Sequence, residues 1–200
     1  RPPEPVPREA RDVVRGALRW ADARKSLPED FVLARRDGAP LYVLCASADD
    51  AAMGVTHVVR GEEHISNTLA QTLVLEALGA AAPTYAHCSL VVDDRGQKLS
   101  KRTAGAAADG YGAATVAALR EAGCTPLGLA AYLAGLGGFK PDAPPESLDD
   151  LARTFSLEAL SAAPSTFDAR QLRAADRAAL AAPSQKAAGV LAVRRRLALR

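Results

Sequence analysis

Residues 56–92, THVVRGEEHISNTLAQTLVLEALGAAAPTYAHCSLVV, decide the fold. Thr56 to Arg60 is rich in β-branched residues and stops at Gly61, as a short buried strand does. A helix follows. Ser66, Asn67 and Thr68 offer capping oxygens, Leu69, Thr72, Leu73, Glu76 and Ala77 lie along one side, and Gly79 is placed to end it. Tyr85 to Val92 then reads as a second strand. The order strand, helix, strand predicts a parallel crossover and so an α/β sheet.

Upstream, the proline-rich opening reads as an extended segment through residue 10. Phe31 to Arg35 is a short strand candidate that ends at the turn Arg36-Asp37-Gly38-Ala39-Pro40. Leu41 to Ala46 is an apolar run between turn signals and predicts a buried strand. Downstream, Val91-Val92 leads through a tight turn into the basic pentapeptide Lys98-Leu99-Ser100-Lys101-Arg102. Beyond it the pattern turns helical, with helices expected over 113–122, 126–136, 148–153, 157–161 and 168–181. Thr125-Pro126 opens the second of these and Gly137-Gly138 closes it. The expected organisation is a partial Rossmann-like catalytic domain over 1–103, a helical region over 104–185, and a basic tail over 186–200.

Composition narrows the function classes. Hydrophobic residues make up 48% of the 200, ample for a core, but aromatics are only 4% and alanine carries much of the apolar count. Lys plus Arg number 25 against 23 Asp plus Glu, a net charge of +2, too balanced for nucleic-acid binding through bulk charge. RNA contact would depend on local patches such as Arg194-Arg195-Arg196, and no DNA partner is expected. Cys45, Cys88 and Cys124 are scattered and form no Cys-x-x-Cys pair, which speaks against a disulfide framework or structural zinc and for a reducing compartment. No apolar run reaches the roughly 18 residues of a membrane span, and no secretory signal is read at Arg1-Pro2-Pro3-Glu4-Pro5.

The chemistry-bearing residues gather at strand ends. A short basic loop after a strand can close over a polyanion, and two lysines three residues apart, Lys98 and Lys101, can offset charge that builds as a phosphate bond breaks. Arg60 stands at the C-terminal end of a predicted parallel strand, where α/β sheets place ligands, and its guanidinium can take a carboxylate with two hydrogen bonds. The residues alone leave a second reading open, an ion pair with Glu62 or Glu63, just as Tyr42 reads either as a ligand contact or as a core aromatic. His57, His64 and the two glutamates have no ligand spacing of a helical metal site. Asn67 and Thr68 read as helix caps.

The run Asp49 to Thr68, with the Lys98–Arg102 loop in a Lys-Leu-Ser-Lys-Arg form, resembles the glutamyl-tRNA synthetases, class I enzymes with a signature loop of the Lys-Met-Ser-Lys-Ser type. Asp30 to Leu33, Arg36 to Tyr42, Tyr132 to Gly137 and Ser165 to Asp168 resemble further family segments, so the likeness covers roughly 12–175. It implies ATP-dependent activation of L-glutamate and transfer to the 3′ end of a tRNA. ATP would carry Mg2+ on its phosphates, with no protein-bound metal. Tyr42, Arg60 and Glu63 would take glutamate. Leu90, Val91, His64, Leu99, Ser100 and Lys101 would take ATP. Lys101 would stabilise the phosphates as they react, with Lys98 supporting the loop.

The family's other signature, His-Ile-Gly-His or a variant, has no counterpart, and Leu69-Ala70-Gln71 and Thr103-Ala104-Gly105 stand where the family usually has Pro-Arg-Gln and, after the loop, His-Gly. With Arg1 in place of an initiating Met, and the anticodon-binding domain expected to be missing or reduced to the arginine-rich tail, the expectation is a fragment of a longer synthetase, inactive by itself. The alternatives are an inactive relic that binds RNA or a synthetase partner, and a truncated paralogue that transfers glutamate to a tRNA base. The expected compartment is the cytoplasm, or a plastid or mitochondrial matrix in a eukaryote.

Overall fold

The computed structural model of the chain describes residues 9–20, 30–93, 95–99 and 115–182. Two compact units, Arg1–Cys88 and Ser89–Arg200, are distinguished. The expected boundary after residue 103, Ser100, Lys101, and the basic tail lie outside the described residues.

In the first unit a hairpin of β1 (Glu9–Asp12) and β2 (Gly16–Arg19) joins β3 (His57–Gly61) and β4 (Thr84–Cys88) in one sheet, order β2-β1-β4-β3. β1 and β2 are antiparallel, whereas β4 runs parallel to both β1 and β3. The expected crossover is present. β3 passes through a 3-10 turn, Glu62–His64, into helix α2 (Ile65–Ala77), and returns to β4. Helix α1 (Tyr42–Met53) packs against α2, so the middle of α2 is buried all round, from Thr68 to Leu75. Leu69, Leu73 and Leu75 are almost wholly removed from water, each burial worth about 2 kcal/mol. Gly79, with φ of 70°, ends the helix in the left-handed conformation, where its N–H reaches the Glu76 carbonyl and that of Ala80 reaches Leu75.

Four expectations need correction. Leu41 to Ala46 is no strand: Tyr42 begins α1, because the alanine-rich Ala46 to Ala52 continues the run with strong helix formers and Gly54 closes it in the left-handed region. Phe31 to Arg35 forms only an isolated bridge, Ala34 to Pro40, closed by Leu41 N–H to the Leu33 carbonyl at 2.8 Å. Tyr85 to Val92 is split, since β4 ends at Cys88 and β5 (Val91–Val92) belongs to another sheet. Ser66, Asn67 and Thr68 do not cap α2: the 3-10 turn supplies the first turn, His64 takes the cap position with no side-chain bond to the helix backbone, and Thr68 is buried inside the helix. The β1–β2 hairpin was not expected, and in it Asp12 Oδ1 accepts from Val14 N–H (2.9 Å) and Arg15 N–H (2.8 Å) to shape the turn.

In the second unit, β5 pairs in parallel with β6 (Ser165–Thr166). Helices α3 (Val116–Glu121), α4 (Pro126–Leu136), α5 (Leu148–Thr154) and α6 (Ala169–Ala181) follow the expected positions closely, and 157–159 is a single 3-10 turn. Thr125 caps α4 with its hydroxyl on Gly128 N–H, and donates that hydroxyl to Asp176 of α6 at 2.6 Å. Gly128 is required by this approach: a Cβ there would lie 2.6 Å from the Asp176 Cα. Leu119, Cys124, Tyr132 and Leu172 form the core, with the Tyr132 hydroxyl accepting from Asp168 N–H at 2.7 Å. Leu172 is wholly buried, so Leu172→Ala is expected to destabilise this unit by about 3 kcal/mol and lower its thermal midpoint by on the order of 10 °C. A calorimetric shift below about 3 °C would show that the α4–α6 seam does not rely on this side chain.

Candidate functional site

Parallel pairing of β3 with β4 puts Arg60 directly opposite His87 and Val58 opposite Tyr85. Opposed residues on neighbouring strands share a face, and α2 covers that face. Arg60 is bonded in four directions. Its Nε–H donates to His87 Nε2 (3.0 Å), Nη1 to Gln71 Oε1 (2.6 Å), and Nη2 to Thr68 Oγ1 (2.9 Å) and the His64 carbonyl (3.2 Å). The Tyr85 ring lies 5.2 Å from its Cζ.

None of these partners is a carboxylate, and among the described residues Arg60 forms no ion pair. Glu62, the alternative partner in the sequence reading, pairs instead with Arg15 of the β1–β2 turn at 2.5 Å. A guanidinium held by neutral groups in a partly buried site keeps its charge for an incoming anion.

His87 is fully buried, and its Nδ1 lies 2.5 Å from Asp12 Oδ2, which also accepts the His87 backbone N–H at 3.1 Å. Since Nε2 accepts from Arg60, the proton belongs on Nδ1 and the ring is neutral. Burial lowers the His87 pKa below its ordinary value, the Asp12 bond opposing and the Arg60 charge assisting. The unfolded chain therefore takes up a proton on this histidine at a higher pH than the folded one. Its contribution to stability is complete above about pH 6.5 and declines as the pH falls below that value. Urea midpoints measured from pH 8 to pH 5 are expected to drop on the acid side in the wild type and to drop less in His87→Gln. Burial also raises the Tyr85 pKa, against the lowering effects of its Thr72 hydrogen bond and Arg60.

Tyr42 is 50% exposed, which excludes the core-aromatic reading, and its ring lies 5.5 Å from that of His64. Asn67 Nδ2 lies 3.1 Å from His64 Nδ1, so the amide donates and the neutral His64 ring keeps its proton on Nε2. Glu63 is exposed and folds back over the strand end: a Cβ at Gly61 would overlap its carboxylate. Tyr42, Arg60, Glu63 and His64 thus lie together within the first unit.

Leu90, Val91, Lys98 and Leu99 belong to the second unit, where Leu99 N–H donates to the Val91 carbonyl at 3.0 Å and Lys98 bridges Val92 in antiparallel fashion. The intervening turn is held by Asp93 Oδ1, which accepts from Arg95 and Gln97 N–H. The signature loop therefore leaves from a closed hairpin. Among the described residues no group of three His, Cys, Asp or Glu side chains could hold a metal, and no helix is long and apolar enough to cross a membrane.

The sequence reading missed Asp12, Arg15, Gln71 and His87 as parts of this site. One signal was present: a histidine inside an apolar strand must find buried partners. Gln71 was visible only as the member of Leu69-Ala70-Gln71 that matches the family's Pro-Arg-Gln.

A family model described as tRNA synthetases class I (E and Q), catalytic domain, matches residues 1–174. The chain belongs to that family. Among curated relatives of this synthetase domain, the glutamate–tRNA ligase of Burkholderia multivorans is 37% identical over 96% of this chain and 43% of its own length. Glutamate–tRNA ligase 2 of Nitrosococcus oceani is 43% identical over 86% of this chain and 34% of its own. The crystal structure of the glutamate–tRNA synthetase from Elizabethkingia anophelis superposes with a TM-score of 0.67 at 31% identity, covering 84% of this chain and 35% of that one. The synthetase chain thus spans well under half the length of the relatives it matches. It is a mixed α/β structure with a parallel-sheet core and helices, as the class I synthetase resemblance implied.

Proposed function

We propose that the intact protein is a glutamate–tRNA ligase and that this chain supplies its amino-acid pocket and its phosphate loop. The observation that carries the reading is the charge of Arg60, which four neutral acceptors hold at the end of a parallel strand beside Tyr42 and His64. Such a cation suits the side-chain carboxylate of glutamate and discriminates against the neutral amide of glutamine. The Glu63 carboxylate suits the amino acid's ammonium group, and the Nε2–H of His64 is a donor for the nucleotide or the amino acid.

In the first step the α-carboxylate of glutamate attacks the α-phosphorus of ATP, and pyrophosphate leaves. Lys101 offsets charge on the departing oxygens, an electrostatic role with no proton transfer, while Mg2+ arrives with the phosphates of ATP. Backbone groups at Leu90 and Val91 face the adenine, and Leu99 and Ser100 line the loop that Lys98 supports. In the second step a terminal ribose hydroxyl of tRNA attacks the acyl phosphate and AMP leaves. In this reading residues 1–103 serve catalysis, 104–185 meet the tRNA, and the reactions take place in the cytoplasm.

Charging of tRNA with radiolabelled glutamate by the intact protein tests the proposal. ATP-dependent attachment of glutamate is the expected result, and attachment of glutamine in its place would refute it.

A further inference from the structure

Arg60 is the partly buried end of a chain of three groups whose other two members, His87 and Asp12, are buried. The Asp12 carboxylate accepts four N–H donors: Val14 and Arg15 on Oδ1, and the His87 backbone and ring on Oδ2. It is therefore fixed from the turn on one side and from β4 on the other. The His87 ring has one tautomer compatible with both neighbours, Nδ1–H toward Asp12 and the Nε2 lone pair toward Arg60. Stacking of Tyr85 on His87, with ring centroids 5.8 Å apart, holds the ring plane. Arg15, from the same turn, reaches the His87 carbonyl at 3.3 Å and Glu62 at 2.5 Å, which ties the hairpin to the end of β4 and to the start of the 3-10 turn.

A carboxylate bonded directly to Arg60 would have oriented it equally well. It would also have neutralised it. The interposed imidazole separates the two effects: it passes orientation from Asp12 to the guanidinium and adds no anion at hydrogen-bond distance. Gln71, Thr68 and the His64 carbonyl likewise fix the remaining nitrogens without charge.

We propose that Asp12 and His87 are positioning residues for amino-acid selection, holding the Arg60 guanidinium in the rotation that meets the substrate's side-chain carboxylate. This rests on the glutamate–tRNA ligase reading. Neither residue touches substrate; both act through Arg60. The Asp12–His87 pair follows the general logic by which a buried carboxylate fixes a histidine tautomer, here in the service of binding and not of proton transfer.

Steady-state pyrophosphate–ATP exchange by the intact protein, in the presence of tRNA, tests it with three variants. His87→Leu removes the acceptor from Arg60 Nε–H. It is expected to raise KM for glutamate by about 10- to 100-fold, the scale of one hydrogen bond to a charged group, while KM for ATP stays within about 2-fold and kcat within about 5-fold. His87→Gln puts an amide oxygen near the Nε2 position and is expected to recover most of the loss. Asp12→Asn keeps the shape but no longer fixes the tautomer, and is expected to raise KM for glutamate by about 10-fold, again without a matching change for ATP.

A purely structural role would move both KM values together and would not be rescued by glutamine. Equal glutamate and ATP effects, or a His87→Gln variant as impaired as His87→Leu, overturn the inference. If His87→Leu fails to fold, the near-isosteric Asp12→Asn decides by the same split. Wild-type protein with no glutamate-dependent exchange would instead refute the ligase reading itself, a result distinguishable from active wild type with unaffected variants.

Discussion

Replacing Arg60 with methionine is expected to cost the intact protein about 1000-fold in kcat/KM for glutamate. The substitution keeps length and apolar bulk but removes the guanidinium bonded to the His87, Gln71 and Thr68 side chains. A buried charge left without its partner costs about 3–5 kcal/mol, and the orphaned charge in this case is the substrate's own carboxylate. The damage is expected mainly in KM, because the side-chain carboxylate is bound equally in the ground state and the transition state.

Stability should also fall, by about 1–3 kcal/mol, since the acceptors on His87, Gln71 and Thr68 lose their common donor. Arg60→Lys restores the charge, but one ammonium cannot span four acceptors that lie in different directions. Its expected loss is intermediate, about 10- to 100-fold. The comparison is made by exchange kinetics over a range of glutamate concentrations. Equal activity of the methionine and arginine proteins would remove Arg60 from the pocket.

Lys101→Ala is expected to slow exchange by about 100- to 1000-fold with KM for glutamate little changed. The contrast with Arg60 follows from when each charge is needed. In the proposed reading, Arg60 would meet a carboxylate that is already charged in the substrate, whereas Lys101 would meet charge that builds on the pyrophosphate oxygens as the bond breaks. Lys98→Ala should be milder, since Lys98 lies next to Val92 at the base of the hairpin from which the loop departs. Single-turnover formation of the adenylate separates the chemical step from binding. A Lys101→Ala protein that forms adenylate at the wild-type rate would contradict the assigned role.

Much of the fold was legible because its elements carry local signals. The β3–α2–β4 crossover has β-branched strands, a helix of the right length and a terminating Gly79. Helix α4 was read at its observed limits because Thr125-Pro126 and Gly137-Gly138 bracket it. The run from Leu41 to Ala46 misled because six apolar residues have the same pattern at the start of a helix as in a buried strand. Only the following alanines and Gly54 distinguish them. The β1–β2 hairpin had no local signature, and its stability derives from pairing with β4 and from the Asp12 turn.

The same division holds at the site. Arg60 was found from its place at a strand end, but its two buried supports were not, because Asp12 and His87 lie 75 residues apart in sequence and meet only when β1 aligns with β4. Thr68 was read as a cap from its residue type, whereas burial turns its hydroxyl toward Arg60.

The most direct test of the central claim is the amino-acid dependence of pyrophosphate–ATP exchange by the intact protein with tRNA present. Glutamate, glutamine and aspartate are compared at equal concentrations. The account predicts exchange with glutamate and at least about 100-fold less with glutamine, whose neutral amide leaves the Arg60 charge unpaired. Exchange of equal rate with glutamine, or none with glutamate, would contradict it.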